Sequence, residues 1–254
     1  MTGGDGFVGG HVVDGLVTAG YTVGVVDNLS TGNLANIDTH INRGSVGFVK
    51  ADIRDRDVMG KFVHDVDAVV HLAAVVSVPF SLENPRLTYD LNVDGTRDPL
   101  ASCVRSGVKK FVFISSYSVY SAPQYLPVDG AHPTCPISPY ASSKLDGERC
   151  CEEFNERAGL DVVVLRLFNV YGSRQTLGEY SGVITKFLEC VKRSRSLVIY
   201  GDCSQTRDFV SRDGYIAHSV ADTSRARKAF AYSPRVPIEE GLQNLLLDRR
   251  CATR

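Results

Sequence analysis

A tyrosine and a lysine that could move a proton stand four residues apart, at Tyr140 and Lys144. This spacing places both side chains on one face of a helix. The pKa of a phenol is about 10, and a neighbouring ammonium group lowers it by stabilising the phenolate. The pair is therefore a candidate proton shuttle at an alcohol carbon. The same spacing is common among surface neighbours, so its interpretation depends on the elements around it.

Those elements can be predicted from the residues that precede the pair. Ser138 is a good N-cap and Pro139 suits the first helical position, so we expect a helix to begin there. A strand over Lys110–Ile114 leads into Ser116, a second hydroxyl group for the site. Between that strand and the helix, residues 121–137 carry several prolines, and we interpret them as a loop that crosses a cleft.

The N-terminal residues predict a nucleotide site. Thr2–Gly10 form a glycine-rich turn that opens a helix, with Gly3, Gly6 and Gly9 at every third position. Such glycines let the backbone approach a pyrophosphate, which the free N–H groups of the helix N-terminus then bind. The next strand ends at Asp27, where a carboxylate that binds ribose belongs. A surface loop beside a strand-end aspartate is the simpler alternative, but turn, strand and acid together favour dinucleotide binding.

Strands and helices alternate along most of the chain, which predicts an α/β fold with a Rossmann-type, doubly wound parallel sheet. Only Met1 precedes the glycine turn, so we expect the first, central strand of that sheet to be missing. We assign residues 1–166 to an NAD-binding domain and residues 167–254 to a small, shortened C-terminal substrate-binding region. The main predicted strands are Tyr21–Asp27, Gly47–Ala51, Asp67–Leu72, Lys110–Ile114 and Asp161–Leu165, and the predicted helices are Val8–Gly20, Arg54–Val63, Pro85–Arg105 with a kink at Pro99, Pro139–Arg157, Val183–Val191, Asp222–Phe230 and Ile238–Leu247.

The composition narrows the class of protein. The net charge is −1, which argues against a nucleic-acid or anionic-membrane partner. No apolar run approaches the roughly 20 residues that span a bilayer, and no signal segment is visible. The seven cysteines are scattered without metal-binding spacing. We therefore expect no metal site and a reducing, cytoplasmic location.

Together these segments resemble the extended short-chain dehydrogenase/reductase family, and within it the NAD-dependent UDP-glucose and UDP-N-acetylglucosamine 4-epimerases. The matching segments span nearly the whole chain in the family's order. They are Thr2–Gly9, Asp27–Gly32, Ala51–Ile53, His71–Ala74, Ser77–Pro79, Asn92–Thr96, Ser115–Tyr120, Tyr140–Lys144, Arg166–Gly172, Tyr200–Asp202, Gln205–Phe209 and Ser219–Asp222.

The resemblance implies roles for individual residues, with NAD as cofactor, a UDP-sugar as substrate and a homodimer as the assembly. The implied catalytic residues are Ser116, Tyr140 and Lys144. Tyr140 and Lys144 also belong to the implied cofactor site, together with Gly3, Gly6, Phe7, Val8, Gly9, Asp27, Asn28, Ser30, Thr31, Gly32, Asp52, Ile53, Leu72, Ala73, Ala74, Asn92 and Phe168. Ser116 and Tyr140 are likewise implied to contact the substrate, together with Ser77, Asn169, Val183, Arg207 and Ser219.

The resemblance leaves two alternatives to an epimerase. A 4,6-dehydratase needs an acidic pair directly after the catalytic serine, whereas this chain has Tyr117 and Ser118 there; decarboxylases of the family similarly want an acid at that place. A non-catalytic dinucleotide-binding remnant is the second alternative. It is suggested by the missing strand and by the direct junction of Tyr215 to Ile216, where the family carries a longer segment. We expect both departures to weaken catalysis.

Overall fold

The computed structural model describes residues 1–175, 183–197, 206–207, 218–233 and 235–247. Their contacts divide the chain into two units. The first comprises Met1–Val119 and Pro136–Arg166, and the second comprises Tyr120–Cys135 and Leu167–Arg254. Most of the proline-rich loop therefore groups with the C-terminal part of the chain.

In the first unit the elements alternate as the sequence indicates. The strands are β1 (Val23–Asp27), β2 (Val46–Lys50), β3 (Ala68–His71), β4 (Lys110–Ser116) and β5 (Asp161–Leu167), the last of which ends one residue inside the second unit. The helices are α1 (Phe7–Thr18), α2 (Asp38–Asn42), α3 (Arg56–Phe62), α4 (Val78–Glu83), α5 (Pro85–Tyr89), α6 (Gly95–Ser106) and α7 (Pro139–Ala158).

The strands form two parallel groups that Thr2 joins. β1 pairs with β2, and β4 lies between β3 and β5. Thr2 forms a parallel bridge to Val26 on one side and to His71 on the other. It thus occupies the place between β1 and β3 where a Rossmann sheet has its first strand. The resulting order is that of a doubly wound sheet, as predicted.

The core lies on both faces of this sheet, because successive residues of a strand point to opposite faces. Val26 of β1 belongs to a cluster with Phe111 and Leu100, whereas its neighbour Val25 packs with Val13 of α1. Both valines are fully buried. The carboxyl ends of the strands, which carry the candidate site residues, are therefore held from two sides.

The predicted helix over Pro85–Arg105 is broken into three pieces. A π-helical turn over Asp90–Asp94 separates α5 from α6. Pro99 lies within α6 and is tolerated there although it has no N–H to donate to the preceding turn. The predicted interruption is therefore present, but it lies nearer the N-terminus than Pro99. The short helices α2 and α4 were not predicted.

The second unit contains the helices α8 (Val183–Lys192), α9 (Ser224–Phe230) and α10 (Ile238–Leu247), and the two-residue strands β6 (Thr206–Arg207) and β7 (His218–Ser219). Val128 joins the loop to this unit, since its N–H donates to Val220 O at 2.6 Å and its carbonyl accepts from Asp222 N at 2.8 Å. The sequence also predicts short strands over Leu197–Tyr200 and Arg207–Val210, of which only Leu197 and Arg207 lie within the described residues, and the Tyr215–Ile216 junction lies outside them. Across the described ranges, none of the helices is long and apolar enough to cross a membrane.

Candidate active site

Helix α7 begins as the sequence predicts and carries the proposed proton shuttle. The hydroxyl oxygen of Ser138 accepts from Ala141 N at 3.1 Å, and Pro139 occupies the first turn. Tyr140 and Lys144 follow one turn apart, and their side chains are 9% and 4% exposed. Both functional groups are therefore held in the protein interior, which is unusual for a chance surface pair.

Lys144 is fixed against the end of β4. Its ammonium donates to Ile114 O at 2.9 Å and lies 5.1 Å from the ring centroid of Phe113. Burial lowers the pKa of Lys144 to about 8, and the nearby Cys151 and Glu148 act in the opposite direction. The ammonium is thus more easily deprotonated than that of a surface lysine.

Ser116, the last residue of β4, places a hydroxyl group near enough to Tyr140 to lower the tyrosine's pKa. Burial raises the pKa of Tyr140, and the effect of the Ser116 hydroxyl only partly opposes this increase. The direction is opposite to the one predicted from the tyrosine–lysine spacing, because the Lys144 ammonium is directed to Ile114 O. The N–H and hydroxyl of Ser118 donate to Ser116 Oγ at 3.2 and 2.8 Å, which leaves the Ser116 proton available to Tyr140.

The glycine turn has the geometry that a pyrophosphate site requires. Gly3 has φ +69°, and a Cβ there would lie 2.6 Å from Ala73 N. A Cβ on Gly9 would lie 2.0 Å from Gly3 O, so glycine is needed for α1 to start against the turn. Gly6 is the N-cap, and Phe7 and Val8 begin α1. The turn therefore presents the free N–H groups of a helix N-terminus in a close-packed backbone.

The loop after β1 follows the predicted ribose carboxylate. Asp27 is the last residue of β1, and its Oδ1 accepts from Leu29 N at 2.9 Å. Asn28 Oδ1 accepts from Ser30 N at 3.0 Å. These local bonds hold the segment through Thr31 and Gly32 in a compact turn.

Asp52 and Ile53 lie in the corresponding place after β2. Asp52 is bound through two oxygens by the guanidinium of Arg54, at 2.9 and 2.7 Å, which lowers the pKa of Asp52. Ile53 is buried, and a Cβ on Gly95 would lie 2.7 Å from its Cδ1. The pair thus forms an apolar and an acidic position at the same edge of the sheet.

Asn92 holds the loop after β3 rather than facing an open cleft. Its amide accepts from Val75 N at 2.7 Å, donates to Val75 O at 3.0 Å and donates to Ser143 Oγ at 2.9 Å. The residue is 1% exposed, so its bonding groups are used within the protein. Asn92 therefore positions the segment of Ala73 and Ala74 beside α7.

Thr2 makes the corresponding connection to Leu72 and His71. Thr2 O accepts from Leu72 N at 3.2 Å, and Thr2 Oγ1 contacts His71 Nδ1 at 2.9 Å. On its other side His71 Nε2 lies 3.2 Å from Thr96 Oγ1, and burial lowers the His71 pKa to about 3. This neutral imidazole links the glycine turn to α6. The sequence contains one indication of this structural role, because His71 is a polar residue at the end of a strand that is predicted to be buried.

A mostly buried ion pair between Glu148 and Arg166 holds α7 against the sheet beyond Lys144. Arg166 bonds Glu148 through two nitrogens at 2.9 and 2.6 Å, and Ser115 Oγ donates to Glu148 Oε1 at 2.5 Å. The cluster ties β4 and β5 to α7 one turn beyond Lys144. Sequence reasoning missed Glu148, although its spacing of four residues from Lys144 placed it on the same helix face.

Ser77 is the N-cap of α4, where its Oγ accepts from Phe80 N at 3.1 Å. In the second unit Phe168 lies with its ring centroid 6.5 Å from that of Tyr120, and Asn169 is 2% exposed. Arg207 of β6 and Ser219 of β7 are register partners in the pairing of these strands. Two predicted substrate residues that are distant in sequence therefore have neighbouring backbone positions on paired strands. Val183 begins α8. The side chains of these last three lie outside the described part of the structure.

A Ser–Tyr–Lys group beside a glycine turn, on a doubly wound parallel sheet, defines an enzyme of the short-chain dehydrogenase/reductase class. A profile of the NAD dependent epimerase/dehydratase family matches residues 1–221. The chain belongs to this family, and NAD is its cofactor. The turn, the helix N-terminus and Asp27 fit that group, because they offer free N–H groups to a pyrophosphate and a carboxylate to ribose.

The relatives are consistent with one another. The chain is 44% identical over 212 residues to a putative UDP-glucose 4-epimerase of Methanocaldococcus jannaschii, covering 83% of this chain and 68% of that one. It is similar to a UDP-N-acetylglucosamine 4-epimerase from Methanobrevibacter ruminantium in complex with UDP-N-acetylmuramic acid, with TM-score 0.90, 31% identity and coverage of 96% and 95%. A UDP-glucose 4-epimerase from Thermotoga maritima with UDP-glucose gives TM-score 0.88, 30% identity and 95% coverage of each chain.

Proposed function

We propose that this protein is an NAD-dependent 4-epimerase of a UDP-sugar. The observation that carries the proposal is the hydroxyl pair of Ser116 and Tyr140 with Lys144 buried one helical turn away. The comparisons support it, since all three of these relatives are named as UDP-sugar 4-epimerases. When bound, NAD supplies the hydride acceptor and donor for oxidation and reduction at the sugar C4.

The residues of the chain provide the proton chemistry. Tyr140 as phenolate takes the proton of the sugar 4-hydroxyl and later returns it to the same oxygen. Ser116 hydrogen-bonds that oxygen and aligns it. Burial opposes the phenolate, so a positive charge is needed nearby for Tyr140 to act as base. The proposed role of Lys144 is to hold the nicotinamide ribose and to contribute that charge.

The substrate diphosphate is negatively charged, so cationic and hydrogen-bond-donating side chains are its expected ligands. We propose Arg207 and Asn169 as its ligands, because a guanidinium matches phosphate oxygens in two places. We propose that Ser219, the register partner of Arg207, contacts the sugar. A small residue there leaves room for an acetamido group, so we propose that the N-acetylated pair of UDP-sugars is accepted along with glucose and galactose.

A decarboxylase is the alternative that the relatives raise. The chain is 34% identical to a UDP-N-acetyl-alpha-D-glucosaminuronate decarboxylase of Bacillus cytotoxicus. By the resemblance described above, decarboxylases of the family need an acidic residue directly after the catalytic serine. This chain has Tyr117 and Ser118 at that place. Ser118 is bonded to Ser116 Oγ, which favours a role in holding the serine in place. The proposal therefore remains epimerisation.

The assembly and location complete the proposal. We propose a homodimer, as in the resembling family, which size-exclusion chromatography with light scattering would test. We also propose a reducing, cytoplasmic location. Its support is that the five described cysteines are free thiols, of which Cys103, Cys150 and Cys151 are buried, Cys190 is partly buried and Cys135 is exposed.

The decisive experiment is Tyr140→Phe. It removes the phenol oxygen and keeps the ring, so epimerisation of UDP-glucose and UDP-galactose should fall by at least about 10²–10⁴-fold while NAD affinity is retained. Tyr21→Phe is the matched control, because Tyr21 is 64% exposed and should show wild-type activity. A Tyr140→Phe protein that keeps most of the parental turnover would refute the assigned role.

A further inference from the structure

Asp5, the residue between Gly4 and Gly6 in the glycine turn, is buried without a partner for its carboxylate in the described part of the chain. The residue is 0% exposed, and among the described residues neither of its carboxylate oxygens has a hydrogen-bond partner. The backbone carbonyl of Asp5 accepts two hydrogen bonds, from Asn33 N at 3.1 Å and from Asn36 Nδ2 at 2.7 Å. The turn is therefore fixed to the loop after β1 through its backbone, while the side chain lacks a donor.

The Asp5 side chain faces a second carboxylate. The Asp27 carboxyl is near enough to raise the pKa of Asp5, and a Cβ on Gly32 would lie 2.1 Å from Asp5 Oδ1. Two ionised carboxylates are both acceptors and repel each other, so they can bond only when they hold a proton between them. The enclosed position of Asp5 leaves no water-exposed surface to relieve that repulsion.

The surroundings of Asp5 supply no compensating cation among the described residues. The charged side chain that acts on it is Asp27, from the end of β1. Gly32 lies against the carboxylate, whereas Asn33 and Asn36 donate to the backbone carbonyl of Asp5 and not to its side chain. Burial, and then the contact with Asp27, raise the pKa of Asp5 to about 8.

We propose that Asp5 and Asp27 hold one proton between them, and that this proton sets the form of the turn that accepts NAD. The inference rests on the proposed assignment of the turn and Asp27 to the cofactor. With the proton present, the pair carries one negative charge and Asp27 can accept the ribose hydroxyls. Without it, two negative charges stand in the turn that must bind a pyrophosphate. Asp5 is thus a positioning residue that acts through Asp27.

The proton can be observed without any ligand. In the purified full chain labelled with ¹³C at the aspartate carboxyl, we expect the Asp5 resonance to titrate with a midpoint near pH 8. Assignment through the backbone makes this measurement independent of any variant. An Asp5 carboxyl that is already ionised at pH 6 would overturn the proposal.

Its effect on NAD is measured by calorimetric titration at pH 7 and pH 9. If the turn accepts NAD only in the protonated form, wild-type affinity should fall by about tenfold for each pH unit above 8. Lys144 also has a pKa of about 8, so its contribution must be removed by comparison. Asp5→Asn keeps Lys144 and the side-chain size, and its ratio of dissociation constants between pH 9 and pH 7 should be about tenfold smaller than that of wild type.

Asp65→Asn is the matched control, because Asp65 is an exposed carboxylate outside the turn. Its ratio should equal that of wild type. Equal ratios for wild type and Asp5→Asn would overturn the proposed effect on NAD. Absence of NAD binding at both pH values would overturn the cofactor assignment as well, and the carboxyl titration distinguishes that failure from the absence of a shared proton.

Discussion

Asn92 offers a direct test of how the cofactor loop and the catalytic helix are held together. Asn92→Ala removes three hydrogen bonds, two to the backbone of Val75 and one to Ser143. A typical intramolecular bond contributes about 1 kcal/mol, so the loss is about 3 kcal/mol or more, because Val75 N–H and C=O are left without a partner. A domain has only about 5–15 kcal/mol of stability, so the effect should be large.

The assay is urea unfolding followed by far-UV circular dichroism, since the chain has no tryptophan. With a slope of about 2–3 kcal/mol per M, the midpoint should fall by about 1 M or more. Asn155→Ala is the matched control: Asn155 donates one hydrogen bond to Leu160 O at 2.7 Å, and its loss should cost about 1 kcal/mol. The reasoning is refuted if Asn92→Ala is no less stable than Asn155→Ala.

Three further predictions address the cofactor, the substrate and the pH range. Asp27→Ala should weaken NAD binding by about 10–100-fold, through loss of charged hydrogen bonds to ribose, and should reduce the preference for NAD over NADP. Titration with both cofactors checks this, and tighter NADP binding by the wild type would contradict it. Ser219→Tyr should abolish turnover of UDP-N-acetylglucosamine while UDP-glucose is still used, and equal turnover of the acetylated sugar by both proteins would exclude a size gate. The pKa of His71 is lowered to about 3, so between pH 6.5 and 3 the unfolded chain binds a proton that the folded chain does not. Stability should therefore fall as the pH drops through this window, by up to about 1.4 kcal/mol per pH unit. In urea unfolding at pH 7 and pH 5, His71→Gln should show a smaller loss, and an unchanged loss would exclude His71 as the cause.

The ends of the elements could be read from the sequence because local chemistry determines them. Ser138 and Pro139 begin α7 and Asp27 ends β1, as predicted, whereas β4 continues two residues beyond the predicted Ile114 to Ser116. These positions depend on capping groups and on short apolar runs. Local signals in the sequence are therefore sufficient to place Tyr140 and Lys144 in the first turns of α7 and Asp27 at the end of β1.

Features that depend on long-range contacts could not be predicted. The π-helical turn that carries Asn92 and the bonds of Asn92 to Val75 join segments distant in sequence, and hydrophobic periodicity contains no signal for them. The direction of the Tyr140 pKa was wrong for the same reason. It depends on how deeply the phenol is buried and on the direction of the Lys144 ammonium, which spacing alone does not determine.

The single bridging residue Thr2 has a consequence for how the first unit opens. Because Thr2 bridges β1 and β3, we expect the strands on either side of it to open as two blocks that share a narrow seam. Local opening along such a seam exposes amides to exchange with solvent before the rest of the sheet unfolds. A ligand bound to the glycine turn would contact both blocks. NAD would therefore stabilise the junction between them in addition to taking part in the reaction. Its binding free energy would then appear as slower amide exchange at Val26 and Leu72.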